Sequence, residues 1–277
     1  MRAGAPARLL LVAWFLAPLA GVALWALADQ WTAATVLPQD WGLRGWREAL
    51  ADGLPAALLR TVVLSSTVAL LATPAGAMAA RGLVRVGPRL RAAASVLLVV
   101  PVVLPPLTVV LGVDVLLLRL QVPAAVGVVA VLVVQALPYT TYVMWTTYQA
   151  YDEAYEDEAR TLGASALRTL LRVQLPLVAP GLAAASFLAL LVGWSDYIVT
   201  LVVGGGRLVT LPVLVASNAA GTGNEPVVAA LSVVAIVPPL VLLGAVGLLG
   251  RRGRRRAPTR SSVADTTDTA QVAGVAS

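Results

Sequence analysis

Six apolar runs dominate this chain, and each is too long and too free of charge to lie in a water-facing fold. They are Leu9–Ala28, about Leu54–Ala80, about Ala92–Leu118, about Val122–Thr147, about Gly181–Val203 and about Val227–Leu249. A helix crossing a bilayer needs about 20 mostly apolar residues. In lipid every backbone amide must find its partner within the protein, so only helices and closed barrels span. The residues are 59% hydrophobic, above the roughly 45–50% of soluble domains. The expected fold is therefore an all-α integral membrane protein with six transmembrane helices. The third and fourth runs nearly touch, which calls for a tight turn at Gln121-Val122-Pro123.

The side of each loop follows from its arginines, since the chain has no Lys. Arg2 and Arg8 precede the first run. Arg81, Arg85, Arg89 and Arg91 lie between the second and third. Arg160, Arg168 and Arg172 lie between the fourth and fifth, and Arg251, Arg252, Arg254, Arg255, Arg256 and Arg260 follow the sixth. The opposite side holds Arg44, Arg47, Arg119 and Arg207, and Arg60 opens the second run. The excess of basic residues marks the cytoplasmic side. Both termini and the segment 151–180 are thus expected in the cytoplasm.

Tyr139, Tyr142, Trp145, Tyr148 and Tyr151 gather near the end of the fourth run, and Trp25 and Trp31 flank the first. They read as interfacial anchors, with a ligand-stacking platform as the alternative. The first run, Leu9–Ala28, is longer than the apolar part of a signal peptide, so residues 1–28 read as an uncleaved N-terminal span. Residues 29–53 form an outer loop in which Leu43, Trp46 and Leu50 share a helical face. That face would rest on the membrane or dock a partner. Residues 54–250 make the membrane core. Residues 251–277 read as a basic, disordered tail whose arginines meet anionic lipid.

Several chemistries are excluded by composition. There is no Cys and no His, which removes thiolate nucleophiles, disulfides and the commonest metal ligand and proton shuttle. No metal and no cofactor is expected. The net charge of +6 belongs to membrane topology, and no nucleic acid is expected. Asp114 and Asp196 fall inside apolar runs, where a carboxylate is costly. Each must face a water path, a neighbouring helix or a membrane surface, and Trp194 and Tyr197 flank Asp196 as further path candidates. Pro101, Pro105, Pro106 and Pro138 interrupt their runs; such breaks either mark transport paths or are repaired by neighbouring helices.

The long loop at 151–180 carries the strongest pattern. Residues 152–162 favour helix, with Tyr151, Ala154, Tyr155, Ala159 and Leu162 on one face and Asp152, Glu153, Glu156 and Asp157 on the other. Gly163 ends that helix. Ser165 caps a second one, with Leu167, Leu170 and Leu171 on one face, and Pro176 and Pro180 stop it before the fifth run. An apolar stripe beside water needs a cover.

This loop resembles the cytoplasmic loop of permease subunits of bacterial binding-protein-dependent ABC importers. Their pattern is Glu-Ala-Ala, three residues, Gly, nine residues, an aliphatic residue, one residue, Leu-Pro. Here Asp157-Glu158-Ala159, Gly163, Val173 and Leu175-Pro176 occupy those positions, and Leu162-Gly163-Ala164-Ser165 is also similar. The first acid is Asp, and Glu replaces the middle Ala. Trp194-Ser195-Asp196-Tyr197-Ile198-Val199-Thr200, Gly204-Gly205-Gly206 and Thr210-Leu211-Pro212 resemble a subgroup that imports polyamines, ferric iron, thiamine or aminoalkylphosphonates.

The resemblance implies a methionine-importer-like membrane domain in the bacterial inner membrane, with no enzymatic site of its own. Its implied partners are a cytoplasmic ABC ATPase dimer, a second permease subunit, an extracytoplasmic solute-binding protein and membrane lipids. It also implies a coupling helix between the fourth and fifth spans, built on Asp157, Glu158, Ala159, Gly163, Ala164, Ser165, Leu167, Leu170, Leu171, Leu175 and Pro176. Without Lys, no Gly-x-x-x-x-Gly-Lys-Ser/Thr phosphate loop can form in this chain. The rival reading is an ion-driven secondary transporter or channel, which would need no docking loop and would show inverted repeats. A membrane-embedded aspartyl enzyme is a further rival, without a local motif to favour it.

Overall fold

A computed structural model describes residues 5–32 and 35–254. Arg2, Arg255, Arg256, Arg260 and the tail beyond them lie outside the described residues. The elements are α1 (Ala5–Ala26), β1 (Ala28–Gln30), β2 (Asp40–Trp41), α2 (Arg44–Ala51), α3 (Leu54–Arg85), α4 (Pro88–Val103), α5 (Pro106–Arg119), α6 (Ala124–Gln149), α7 (Ala154–Thr161), α8 (Ala166–Thr169), a π-helical turn (Leu170–Gln174), α9 (Leu175–Ser195), α10 (Ile198–Val202), α11 (Leu211–Ala219) and α12 (Glu225–Arg254).

Four helices are long and apolar enough to cross a membrane: α3, α6, the continuous run Ala166–Ser195, and α12 over Glu225–Gly247. The α4–α5 pair would make a fifth, bent by 90°. The bend replaces the single third span expected over 92–118. A residue before proline is driven out of the helical region, and here two prolines follow in succession. Leu104 is extended at φ −69°, ψ 140° ahead of Pro105, and Pro105 at φ −57°, ψ 121° ahead of Pro106. Two consecutive extended residues turn the chain before Pro106 restarts the helix. The turn joining α5 to α6 has Gln121 in the left-handed region, φ 53°.

Helices in lipid gain little from hiding apolar surface, so close backbone approach between small residues holds them together. Accordingly α3 buries Ala57, Ala69, Ala72, Gly76, Ala77 and Ala80, and it packs on α6 and α9. Leu64, Val68, Val110, Val128, Leu132, Ala136, Ala189 and Val199 fill the centre. A second cluster ties Leu54 and Ala57 to Trp194, Leu211, Leu214, Val227 and Leu231. At that end the Thr61 hydroxyl accepts the Leu211 N–H at 2.7 Å and donates to Ala57 O at 2.8 Å. One buried side chain thus satisfies an amide that α11 leaves open at its start. At the other end Arg91 donates to the carbonyls of Leu83, Val84 and Val86. It closes the C-terminus of α3, where a cation is favoured.

The expected outer helix exists as α2. Gly45 and Ala49 are buried, and Leu43 and Leu50 are exposed. Gly45 lies against the Pro226 carbonyl of α12, and Trp46 Nε1 donates to Ala26 O at 2.8 Å. Tight seating against α12 takes the small residues and leaves Leu43 and Leu50 outward. The short β1–β2 pair was not anticipated. It brings the Asp29 carboxylate to the Arg44 N–H at 2.8 Å, a favourable charge at the start of α2.

Pro176 and Pro180 do not stop the loop's second helix. It runs through the π turn into α9, with Pro176 in the first turn and Pro180 inside. The wider turn directly precedes Pro176, which has no N–H to give to the helical ladder. The helix then breaks at Asp196, φ −71°, ψ 131°, and resumes as α10. The fifth span is therefore interrupted inside the range expected for it.

Candidate functional site

The loop between α6 and α9 is a helix, a glycine corner and a second helix. Gly163 stands at φ +83° with nothing within 4 Å of a hypothetical Cβ, so the left-handed backbone alone selects glycine there. Gly163 N donates to Arg160 O at 2.9 Å and Ala164 N to Ala159 O at 3.0 Å. These bonds close the end of α7 in the manner of a left-handed C-terminal cap. Ser165 Oγ accepts the Arg168 N–H at 3.4 Å and opens α8.

The side chains of the loop divide into an outward and an inward set. Outward lie Asp157, Glu158, Ser165, Leu170, Leu175 and Pro176, together with Leu162, Leu167 and Leu171, which are 88%, 65% and 53% exposed. Ala159 and Ala164 are half-buried, and Gly163 is exposed. Inward lie Glu156, Thr169 and Gln174, all buried. On α7 one acid departs from its expected face: Glu156 is buried, whereas Asp152, Glu153 and Asp157 are exposed, as are Tyr155 and Leu162 on the apolar face.

The burial of Glu156 has an electrostatic cause. Arg81, near the end of α3, donates through Nη2 to both Glu156 oxygens at 3.1 and 3.0 Å, and through Nη1 to Gln174 Oε1 at 2.6 Å. Arg160 adds a bond to Glu156 Oε2 at 3.2 Å and pairs with Asp157 at 3.3 Å. Arg85 lies 3.7 Å from Glu153 in an exposed pair. A carboxylate can be buried when it is paired and hydrogen-bonded. Burial, and next the Glu156 charge, push the neighbouring Tyr151 phenol up to about 12, so it is neutral at ordinary pH.

A second feature lies where α9 breaks. Pro101, Pro106, Gln135, Tyr139, Ser195, Asp196 and Tyr197 line a cavity of about 440 Å³. The Asp196 carboxylate accepts from Val199 N at 3.2 Å, Thr200 N at 2.8 Å and Thr200 Oγ1 at 2.7 Å. It therefore holds the start of α10 while lining the cavity. Of the other sequence candidates, Trp194 is buried and donates to Ala235 O of α12 at 2.9 Å. Asp114 sits half-buried on α5, outside this lining. The break in α4–α5 brings Pro101 and Pro106 to the cavity.

Arg81 and Gln174 at the loop, and Gln135 and Tyr139 at the cavity, were not singled out from the sequence for these places. Arg81 counts there only as a topogenic charge, and Tyr139 only as an interfacial aromatic. Among the described residues no cluster of acids could hold a metal ion.

Comparison with known proteins gives a consistent picture. A family profile described as "Binding-protein-dependent transport system inner membrane component" matches residues 72–255. The chain is 30% identical over 203 residues to the spermidine/putrescine transport system permease protein of Haemophilus influenzae, covering 72% of this chain and 78% of that one. It is 28% identical over 244 residues to a putative 2-aminoethylphosphonate transport system permease protein of Salmonella typhimurium, covering 87% and 91%. Its fold is similar to the crystal structure of a bacterial ABC transporter involved in the import of the acidic polysaccharide alginate, with a TM-score of 0.66 at 15% identity, covering 86% and 91%.

Proposed function

This chain belongs to the family of binding-protein-dependent transport system inner membrane components, and from that premise we propose how it works. It is a multi-pass inner-membrane permease subunit of an ATP-driven importer, and it has no ATP-binding site of its own. Its family works with an ATPase and a binding protein. In our reading six segments span the membrane, with α4–α5 as one bent span and α1 as another, and both termini face the cytoplasm. A second permease subunit completes the path. The ATPase dimer meets the loop at Asp157, Glu158, Ala159, Gly163, Ala164, Ser165, Leu167, Leu170, Leu171, Leu175 and Pro176.

The observation that carries this reading is the apolar stripe Leu162, Leu167 and Leu171, exposed on a glycine-cornered helix pair. Exposed apolar surface of this kind marks a partner contact. A helix laid into an apolar groove is a recurrent docking mode. Deleting residues 164–171, or replacing both Leu167 and Leu171 with Asp, is expected to strip the ATPase from the purified complex and abolish uptake. Retention of the ATPase by both variants would sink the reading.

The path runs by the cavity at Asp196 and Tyr197, with Asp114 further along α5 and Trp194 bracing the wall from behind. The named relatives carry spermidine/putrescine and 2-aminoethylphosphonate, solutes that share a primary aminoalkyl group. Among polyamine, ferric iron, thiamine and aminoalkylphosphonate, that favours an aminoalkyl solute. A carboxylate beside aromatic rings suits an alkylammonium.

A further inference from the structure

The inward side of the loop bears on how a push at its outer side reaches the spans. We propose that Arg81 is the positioning residue that joins the end of α3 to both limbs of the loop as one body. Loop displacement then reaches α3 directly, and not only along the chain into α6 and α9. This rests on the reading of the loop as the ATPase contact.

Three observations carry it. Arg81 touches the first limb at Glu156 and the second limb at Gln174, two residues 18 positions apart by their numbers, on opposite sides of the Gly163 corner. Both acceptors are almost fully buried, Glu156 at 5% and Gln174 at 3% exposure. Water therefore offers no ready replacement for the guanidinium, and parting the limbs from α3 would leave a buried acid with Arg160 as its remaining cation.

The third observation is the π turn. In an uninterrupted α-helix Leu167, Leu171 and Gln174, at i, i+4 and i+7, would share one face. Here Leu167 and Leu171 face out and Gln174 faces in, whereas Thr169 and Gln174, five residues apart, are buried together. Five residues is the span of a π-type hydrogen bond, and Leu175 N accordingly bonds Leu170 O. The widened turn is what lets one short helix present leucines outward and an amide inward to Arg81. Such turns are found in helices mostly where a local need outweighs regularity.

The test uses spin labels on Met78→Cys, exposed on α3 one turn before Arg81, and Ala154→Cys, exposed on α7. The chain has no Cys of its own. Partner subunits free of accessible Cys complete the complex, and the nucleotide-free state is compared with the ATP–vanadate-trapped state. The inter-label distance is expected to be the same in both states in the otherwise native chain. Arg81→Gln, or the milder isosteric Glu156→Gln, is expected to shift it between states by more than the width of the native distribution. A distance that already changes in the native chain overturns the proposal, as does one that both substitutions leave unaltered. Either result leaves the loop reading intact as long as deletion of 164–171 removes the ATPase. If the ATPase survives that deletion, the loop reading fails first and takes this inference with it.

Discussion

At Gly193 of α9 a Cβ would come within 2.8 Å of Ser65 Cα on α3. Backbone cannot yield as a side-chain tip can, so Gly193→Ala must part the two helices. A loss of about 1–3 kcal/mol is expected from such overpacking, seen as a lower thermal unfolding midpoint in detergent. Gly112→Ala on α5 is the control. Nothing lies within 4 Å of its Cβ position, and alanine favours helix by roughly 1 kcal/mol over glycine. It should leave the midpoint unchanged or raise it; equal losses at both sites would show that the close contact is not what matters. The sequence shows two glycines in apolar runs and does not separate them. The difference is made by a helix more than a hundred residues away along the chain, at Ser65. Glu156 is the same lesson in charge: with Arg81 out of view it reads as one more solvated acid.

The helix–glycine–helix form of the loop was legible because every signal for it is local: helix formers, a glycine where the backbone turns left-handed, a serine three residues before the Arg168 amide that it caps. Gly163→Ala tests that corner. No neighbour stands in the way, so only the left-handed backbone opposes the methyl, at roughly 1–2 kcal/mol. Faster hydrogen exchange of the α7 amides is expected in Gly163→Ala. Gly163→Asn should disturb them less, since Asn visits this region more readily. An unchanged exchange rate in Gly163→Ala would mean that the corner is not under this constraint. Three other elements were less legible for definite reasons. The bend at Pro105-Pro106 is written in the sequence, but one proline is often absorbed inside a span, as Pro74 and Pro138 are here. The break at Asp196 has no glycine or proline at all. There the carboxylate reaches forward to hold the Val199 and Thr200 amides in the first turn of α10, and a local sequence scan sees only an acid in an apolar run. The π turn is equally silent, since no residue type demands it.

For the whole molecule the remaining question is which end faces which compartment. The end of α3 near Arg81 and Arg85, the start of α4 at Arg89 and Arg91, and the loop with Arg160, Arg168 and Arg172 lie together through the contacts described above. α2, with Arg44 and Arg47, lies instead against the start of α12, where Arg44 Nη2 donates to Gly223 O at 3.3 Å. Folding has therefore sorted the arginines into a rich end and a poor end, which is the arrangement that basic-residue bias selects during insertion. The absence of Cys makes the orientation directly readable. Ala154→Cys is exposed at the rich end and Thr222→Cys at the poor end. In intact cells a membrane-impermeant maleimide is expected to label Thr222→Cys and to spare Ala154→Cys until the membrane is opened. The opposite pattern would place the loop outside, where no cytoplasmic ATPase could reach Leu162, Leu167 and Leu171, and would undo the loop reading together with the topology.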